Sequence, residues 1–248
     1  MDSGIRGLLA RWLLHKIRIW DVRTANGVDK FIAISQFIAR RIHKVYGRQA
    51  TVIHPPVDTA RFVIGCAKED FYLAASRMVP YKKMGLIVEA FRGMRDKKLI
   101  VIGDGPEFDR IRRAAPRNVT LLGFQPSAVL VDYLQRAQAF IFAAEEDFGI
   151  ICLEAQACGT PVIAFGKGGS LETISGLDSE EPTGVFFHEQ TALAIQHAVQ
   201  EFERERGRIR AETCRKNALR FDVPRFKREF SNFIAQEWAI FSQLSNKK

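Results

Sequence analysis

Cysteine is scarce here: Cys66, Cys152, Cys158 and Cys214 are the only four in 248 residues, and no two form a Cys-x-x-Cys pair. That spacing excludes a disulfide frame and a thiolate zinc site, and the thiols read as reduced core side chains of a cytoplasmic protein. The five histidines have no paired ligand spacing, so no metal site is expected. Long apolar runs are missing as well. The stretch Leu8 to Trp20 is interrupted by Arg11, His15, Lys16 and Arg18, which excludes a bilayer-spanning helix. It also lacks the clean apolar centre and small-residue cleavage site of a signal peptide. There is no internal repeat, no low-complexity segment and no full Gly-x-Gly-x-x-Gly fingerprint. The lone turn Gly103-Asp104-Gly105-Pro106 reads as structural. Aromatic and basic residues do not interleave as in nucleic-acid modules, so no nucleic-acid partner is expected.

What is present is an ordinary globular composition, 47% apolar and 26% charged, with a formal net charge of +9 and a pI near 9.6. A basic balance points to an anionic partner of some kind. The excess is concentrated at the front, where residues 1–50 hold ten Lys/Arg against three Asp/Glu. There the sequence predicts a basic amphipathic helix with Trp12 and Trp20. Such a helix suits packing on a neighbouring domain or lying on an anionic membrane surface.

The following residues alternate between strand and helix patterns. Phe31 to Ile34 reads as a strand, Ser35 as the N-cap of a helix over Gln36 to Tyr46, Gly47 as its stop, and Thr51 to His54 as a second strand. A polar connector leads to strands over Phe71 to Ala75, Lys98 to Ile102, Val119 to Leu122, the apolar run Ala139 to Ala144, and Pro161 to Phe165. Helices over Gly85 to Arg92, Glu107 to Ala115 and Ser127 to Arg136 lie between them, and from Leu193 onward the chain reads as mostly helical. Repeated strand–helix units imply an α/β, Rossmann-like parallel sheet with helices on both faces.

Chemistry gathers in the loops that follow the strands. Arg77 and Lys82, in Ser76-Arg-Met-Val-Pro-Tyr-Lys-Lys83, are two cations suited to a diphosphate, although surface cations are more often simply solvated. In Glu145-Glu-Asp-Phe-Gly-Ile-Ile-Cys-Leu-Glu-Ala-Gln-Ala-Cys-Gly159, Glu146 and Glu154 stand in a Glu-x7-Glu spacing. Phe148 and Gly149 open a helix between them. The N–H groups of Gly149, Ile150 and Ile151 at that opening form an anion site, and Gly149 removes a side chain where a ligand would approach the backbone. The bland alternative is a surface loop and a buried helix with incidental acids.

These motifs, in this order and with Gly123-Phe124 between them, resemble family 4 of the retaining GT-B glycosyltransferases, from about Asp29 to about Phe233. The resemblance implies transfer of a hexose from a nucleotide diphosphate sugar to a glycan or lipid-linked acceptor, without metal or cofactor. By the family's pattern Glu146 faces the donor sugar, Glu154 accepts from the ribose hydroxyls, and Phe124 meets the nucleobase. Arg77, Lys82 and the helix N–H groups hold the leaving diphosphate, whose departing phosphate takes the acceptor's proton. Together with His54-Pro-Pro-Val-Asp58, the style of the motif suggests GDP-mannose and a polysaccharide or lipopolysaccharide pathway. The expected division is a remnant of the acceptor domain over 1–57, a linker over 58–68, the donor domain over 69–224 and a returning helix over 225–248. Because little of the first domain is matched, two alternatives stand beside the active transferase. One is a truncated, inactive product; the other is a nucleotide-sugar-binding module that needs a separate first domain.

Overall fold

The computed structural model describes residues 4–65 and 67–245, which places Cys66 and the last three residues of the expected returning helix outside the description. The chain divides into two compact units, Met1–Ile53 and His54–Lys248.

In the first unit, α1 (Ile5–Ala25) is followed by β1 (Phe31–Ala33), α2 (Gln36–Tyr46) and β2 (Ala50–Val52), with β1 and β2 parallel. Helix α2 has the expected bounds. The Ser35 side chain accepts from Ile38 N at 3.1 Å, and Gly47 ends the helix with φ +65°. Helix α1 differs from its expected amphipathic form. Leu8, Leu9, Trp12, Leu13, Leu14, Ile17 and Trp20 are all exposed; at about 100° per residue they cover much of the circumference. Among the described residues, no helix is long and apolar enough to cross a membrane.

The second unit is built on one six-stranded sheet. Its strands are β3 (Tyr72–Ala75), β4 (Leu99–Ile102), β5 (Val119–Gly123), β6 (Phe140–Phe142), β7 (Val162–Phe165) and β8 (Gly184–Phe187). They pair in the order β5-β4-β3-β6-β7-β8, and every pairing is parallel. The helices are α3 (Met84–Arg92), α4 (Phe108–Ala114), α5 (Ser127–Arg136), α6 (Ile150–Ala157), α7 (Ser170–Thr173), α8 (Ala192–Glu205), α9 (Ala211–Leu219) and α10 (Val223–Ser245). Alternate residues of β3 enter separate cores. Tyr72 and Ala74 join Phe91, Ile163 and Ile195, whereas Leu73 and Ala75 join Phe140, Leu134 and Cys152. A parallel strand buried on both faces has this pattern because crossover helices cover each side.

The strand order reverses direction between β3 and β6, the place where open α/β sheets hold ligands beyond their carboxyl ends. Chain segments 54–62 and 215–225 close over the same part of the unit. Val57 N donates to Phe221 O at 2.8 Å, and Arg215 donates to Phe62 O at 2.7 Å and to Ala157 O at 2.9 Å. Arg215 thereby satisfies a carbonyl at the end of α6, where the helix has no internal donor left. These bonds tie residues 57–62 into the second unit, which begins at His54.

Candidate functional site at the sheet's switch point

The loop after β3 carries Arg77 and Lys82. It is pinned from beneath by the turn after β4: Met78 N donates to Asp104 O at 2.8 Å, and Glu107 N donates to Met78 O at 3.1 Å. A Cβ on Gly103 would lie 1.9 Å from Ser76 O. The Gly-Asp-Gly-Pro turn therefore supports the cationic loop, in keeping with its structural reading from sequence. Arg77 is exposed. Lys82 lies in a short 3₁₀ turn over Pro80–Lys82, and only 18% of its side chain is accessible.

The loop after β6 carries Glu146 and turns into α6. Gly169 N donates to Glu146 O at 2.7 Å, and Glu146 forms an isolated bridge with Gly168, so the loops after β6 and β7 are stitched together. The structure brings Lys82 and Glu146 together as an ion pair, although they are far apart in sequence. Burial draws the Lys82 ammonium below the usual lysine range, because desolvation disfavours its charge.

Gly149 precedes α6 with φ +82°, and a Cβ there would meet nothing closer than 3.6 Å. Backbone conformation rather than space is thus what this position demands of glycine. Ile150 is exposed and Ile151 half-buried at the first turn. One turn on, Glu154 is half-buried. Burial raises its carboxyl above the ordinary range, while the charge of Arg61 opposes the shift. Nothing in the sequence pattern marked Arg61 for this place. Phe124, just beyond Gly123 at the end of β5, is 76% exposed. Phe148 behaves differently: at 3% exposure it packs with Val57, Leu153 and Phe221. Its ring is core, leaving its backbone at the start of α6. Among the described residues, no group of three or more His, Cys, Asp or Glu is placed to hold a metal ion.

A parallel sheet in this order, with the loops after β3 and β6 meeting at its switch point, is the α/β architecture of the GT-B glycosyltransferases. Sucrose-phosphate synthase from Thermosynechococcus elongatus superposes with a TM-score of 0.80 at 19% identity, over 91% of this chain and 62% of that one. The Anabaena HepE protein in complex with UDP and glucose superposes with a TM-score of 0.72 at 19% identity, over 88% and 66%. The sequence model for "Glycosyl transferases group 1" matches residues 57–221, and that for "Glycosyltransferase Family 4" matches residues 4–61. The chain belongs to the group 1 glycosyltransferase family. A GDP-mannose-dependent monoacylated alpha-(1-6)-phosphatidylinositol monomannoside mannosyltransferase from Corynebacterium glutamicum is 31% identical over 179 residues, 60% of this chain and 47% of that protein. The chain spans about half the length of the curated relatives it matches.

Proposed function

We propose that the chain binds a nucleotide diphosphate sugar at the rim formed by the loops after β3 and β6. We further propose that it serves a retaining hexosyl transfer to a glycan or lipid-linked acceptor. The observation that carries this reading is the meeting of Lys82 and Glu146 at the switch point, beside the N–H groups that open α6.

In this reading the diphosphate lies between Arg77, Lys82 and the N–H groups of Gly149, Ile150 and Ile151. Negative charge that develops on the leaving group is then met by fixed positive charge and dipoles. Phe124 offers an exposed ring to the base. Glu154 accepts from the ribose hydroxyls, and Glu146 accepts from hydroxyls of the sugar. Donor arrival exchanges partners: Lys82 turns from Glu146 to the phosphates, and the carboxylate becomes free for the sugar. Transfer breaks the bond from the anomeric carbon to the phosphate oxygen and forms one to the acceptor oxygen on the same face. The acceptor's proton passes to the departing phosphate. The reading invokes no metal and no cofactor.

The name of the Corynebacterium relative makes GDP-mannose the first donor to test. A lipopolysaccharide setting and peripheral contact with an anionic membrane at its cytoplasmic face belong to the same proposal. The test titrates the chain with GDP-mannose, UDP-glucose and ADP-glucose, then assays transfer to a lipid-linked acceptor beside Glu146→Ala. Binding of one donor, with transfer abolished in Glu146→Ala, supports the reading. Absence of binding to all three overturns it.

A further inference from the structure

His54, the first residue of the second unit, packs against the loop that opens α6. Its ring stacks on Phe148 with centroids 5.4 Å apart and planes 26° from parallel. It also meets the edge of Phe221 at 5.3 Å, while Phe148 and Phe221 themselves meet edge-on at 5.6 Å. Nε2 of His54 lies 3.2 Å from Oε2 of Glu172, so the tautomer protonated at Nε2 donates to that carboxylate. The backbone is held as well, since Arg225 Nη1 donates to His54 O at 2.9 Å. Phe148 immediately precedes Gly149, and Glu172 lies just beyond Gly168 and Gly169, whose backbone meets Glu146. One imidazole therefore touches a residue of the loop after β6 and a residue of α7, the short helix that follows the loop after β7.

We propose that His54 is a positioning residue for the donor site: its ring fixes Phe148, and through it the backbone of Gly149 to Ile151 that receives the diphosphate. The hydrogen bond to Glu172 holds the polar edge of the ring, while its flat face is what bears on Phe148. An imidazole suits this place because it joins a flat apolar face to a directed polar edge. A stacked aromatic pair adds free energy beyond area burial that depends on this geometry. The proposal rests on the donor-site reading above, although His54 itself touches no ligand.

The test is calorimetric titration of the full chain with GDP, UDP and ADP, followed by variants measured with the tightest binder. His54→Ala should weaken that nucleoside diphosphate about tenfold, the scale of one aromatic pair. His54→Phe, which keeps a flat ring, should return affinity to within about twofold of wild type, whereas His54→Gln, which keeps only the polar edge, should stay about tenfold weaker. Val57→Ala thins the packing on Phe148 but leaves the His54 ring and its bond to Glu172 in place, and should leave affinity within about twofold. Unchanged affinity in His54→Ala, equal affinity in His54→Phe and His54→Gln, or equal weakening by Val57→Ala each overturns the proposal. Should His54→Ala not fold, the comparison of His54→Phe with His54→Gln decides alone. A wild-type chain that binds none of the three nucleotides overturns the donor-site reading itself, a result distinct from bound nucleotide with indifferent His54 variants.

Discussion

The two ends of the six-stranded sheet differ in the groups they gather. At the amino ends of β3, β4 and β5 lies a cavity of about 1100 Å³ lined by Arg92, Arg95, Lys98, Arg117 and Arg136, among others. Several of its charges are already answered. Arg136 pairs with Glu69 at 2.8 Å and with Asp132 at 2.5 Å, and Arg92 donates to Ala114 O at 2.8 Å. Its floor consists of strand beginnings, which diverge from no switch point. At the carboxyl ends, loops from neighbouring strands converge and bring a cation, a carboxylate and a helix start together. Convergence of different groups on one spot, rather than empty space, is what marks a ligand site.

The sharpest way to break this comparison is to remove one cation from each end. Lys82→Ala should cost about 1.5–3 kcal/mol of nucleoside diphosphate affinity, the range for a hydrogen bond to a charged group. Arg117→Ala at the opposite end should change affinity by less than about 0.5 kcal/mol, as for surface substitutions away from special features. Calorimetry in which the two variants behave alike removes the distinction between the ends.

A backbone change at the carboxyl end comes next in size. Gly149→Ala places an L side chain at φ +82°, which should cost about 1–2 kcal/mol of stability. Gly207→Ala, where an added Cβ meets nothing within 4 Å and φ is ordinary, should be close to neutral. Urea midpoints compare the two directly; equal midpoints would mean that the turn into α6 tolerates a left-handed alanine.

Glu154 gives a smaller effect with a sign. Burial holds its carboxyl above the ordinary range in the folded state, so the folded chain binds that proton more tightly than the unfolded chain. Its ionisation therefore costs stability as pH rises from the ordinary carboxylate value through the raised one. Glu154→Gln should raise the melting temperature at pH 7, because the amide carries no charge to desolvate. Nucleotide affinity should fall in the same variant. In wild type, affinity should decline on acidification at a pH above the ordinary carboxylate range. A variant that melts lower at pH 7 contradicts the sign.

The smallest effect concerns the core thiols. Cys152, Cys158 and Cys214 are buried, and desolvation pushes their thiols upward, the last two to about 12. Native alkylation at pH 7.5 should label them far more slowly than the same chain in denaturant. Equal rates would mean that the sheet opens readily.

Much of this was legible in the sequence because local signals and packing agree. Helices α2 and α5 fall on the expected residues, Gln36–Tyr46 and Ser127–Arg136, since caps and turn residues flank apolar periods. Strand β8, Gly184–Phe187, has no alternation, and the polar loop before it hides its start. In α1 the exposed apolar side chains spread over much of the surface, whereas sequence reading put them on one broad face. At the site, Arg77, Lys82, Glu146, Gly149 and Glu154 were named from motif and order. The pairing of Lys82 with Glu146, the burial of Phe148 and the place of His54 depend on which strands are neighbours. Sequence spacing does not carry that information, because β3 and β6 are brought side by side by a crossover through two other strands.

The central claim is that a diphosphate binds at the carboxyl-end rim, and Arg77 tests it most directly because its exposed side chain has little part in the fold. The measurement is isothermal calorimetry of GDP, UDP and ADP with wild type and Arg77→Ala at equal melting temperature. One nucleotide should bind wild type and lose about 1.5–3 kcal/mol in Arg77→Ala. Equal affinity for both proteins would contradict the account.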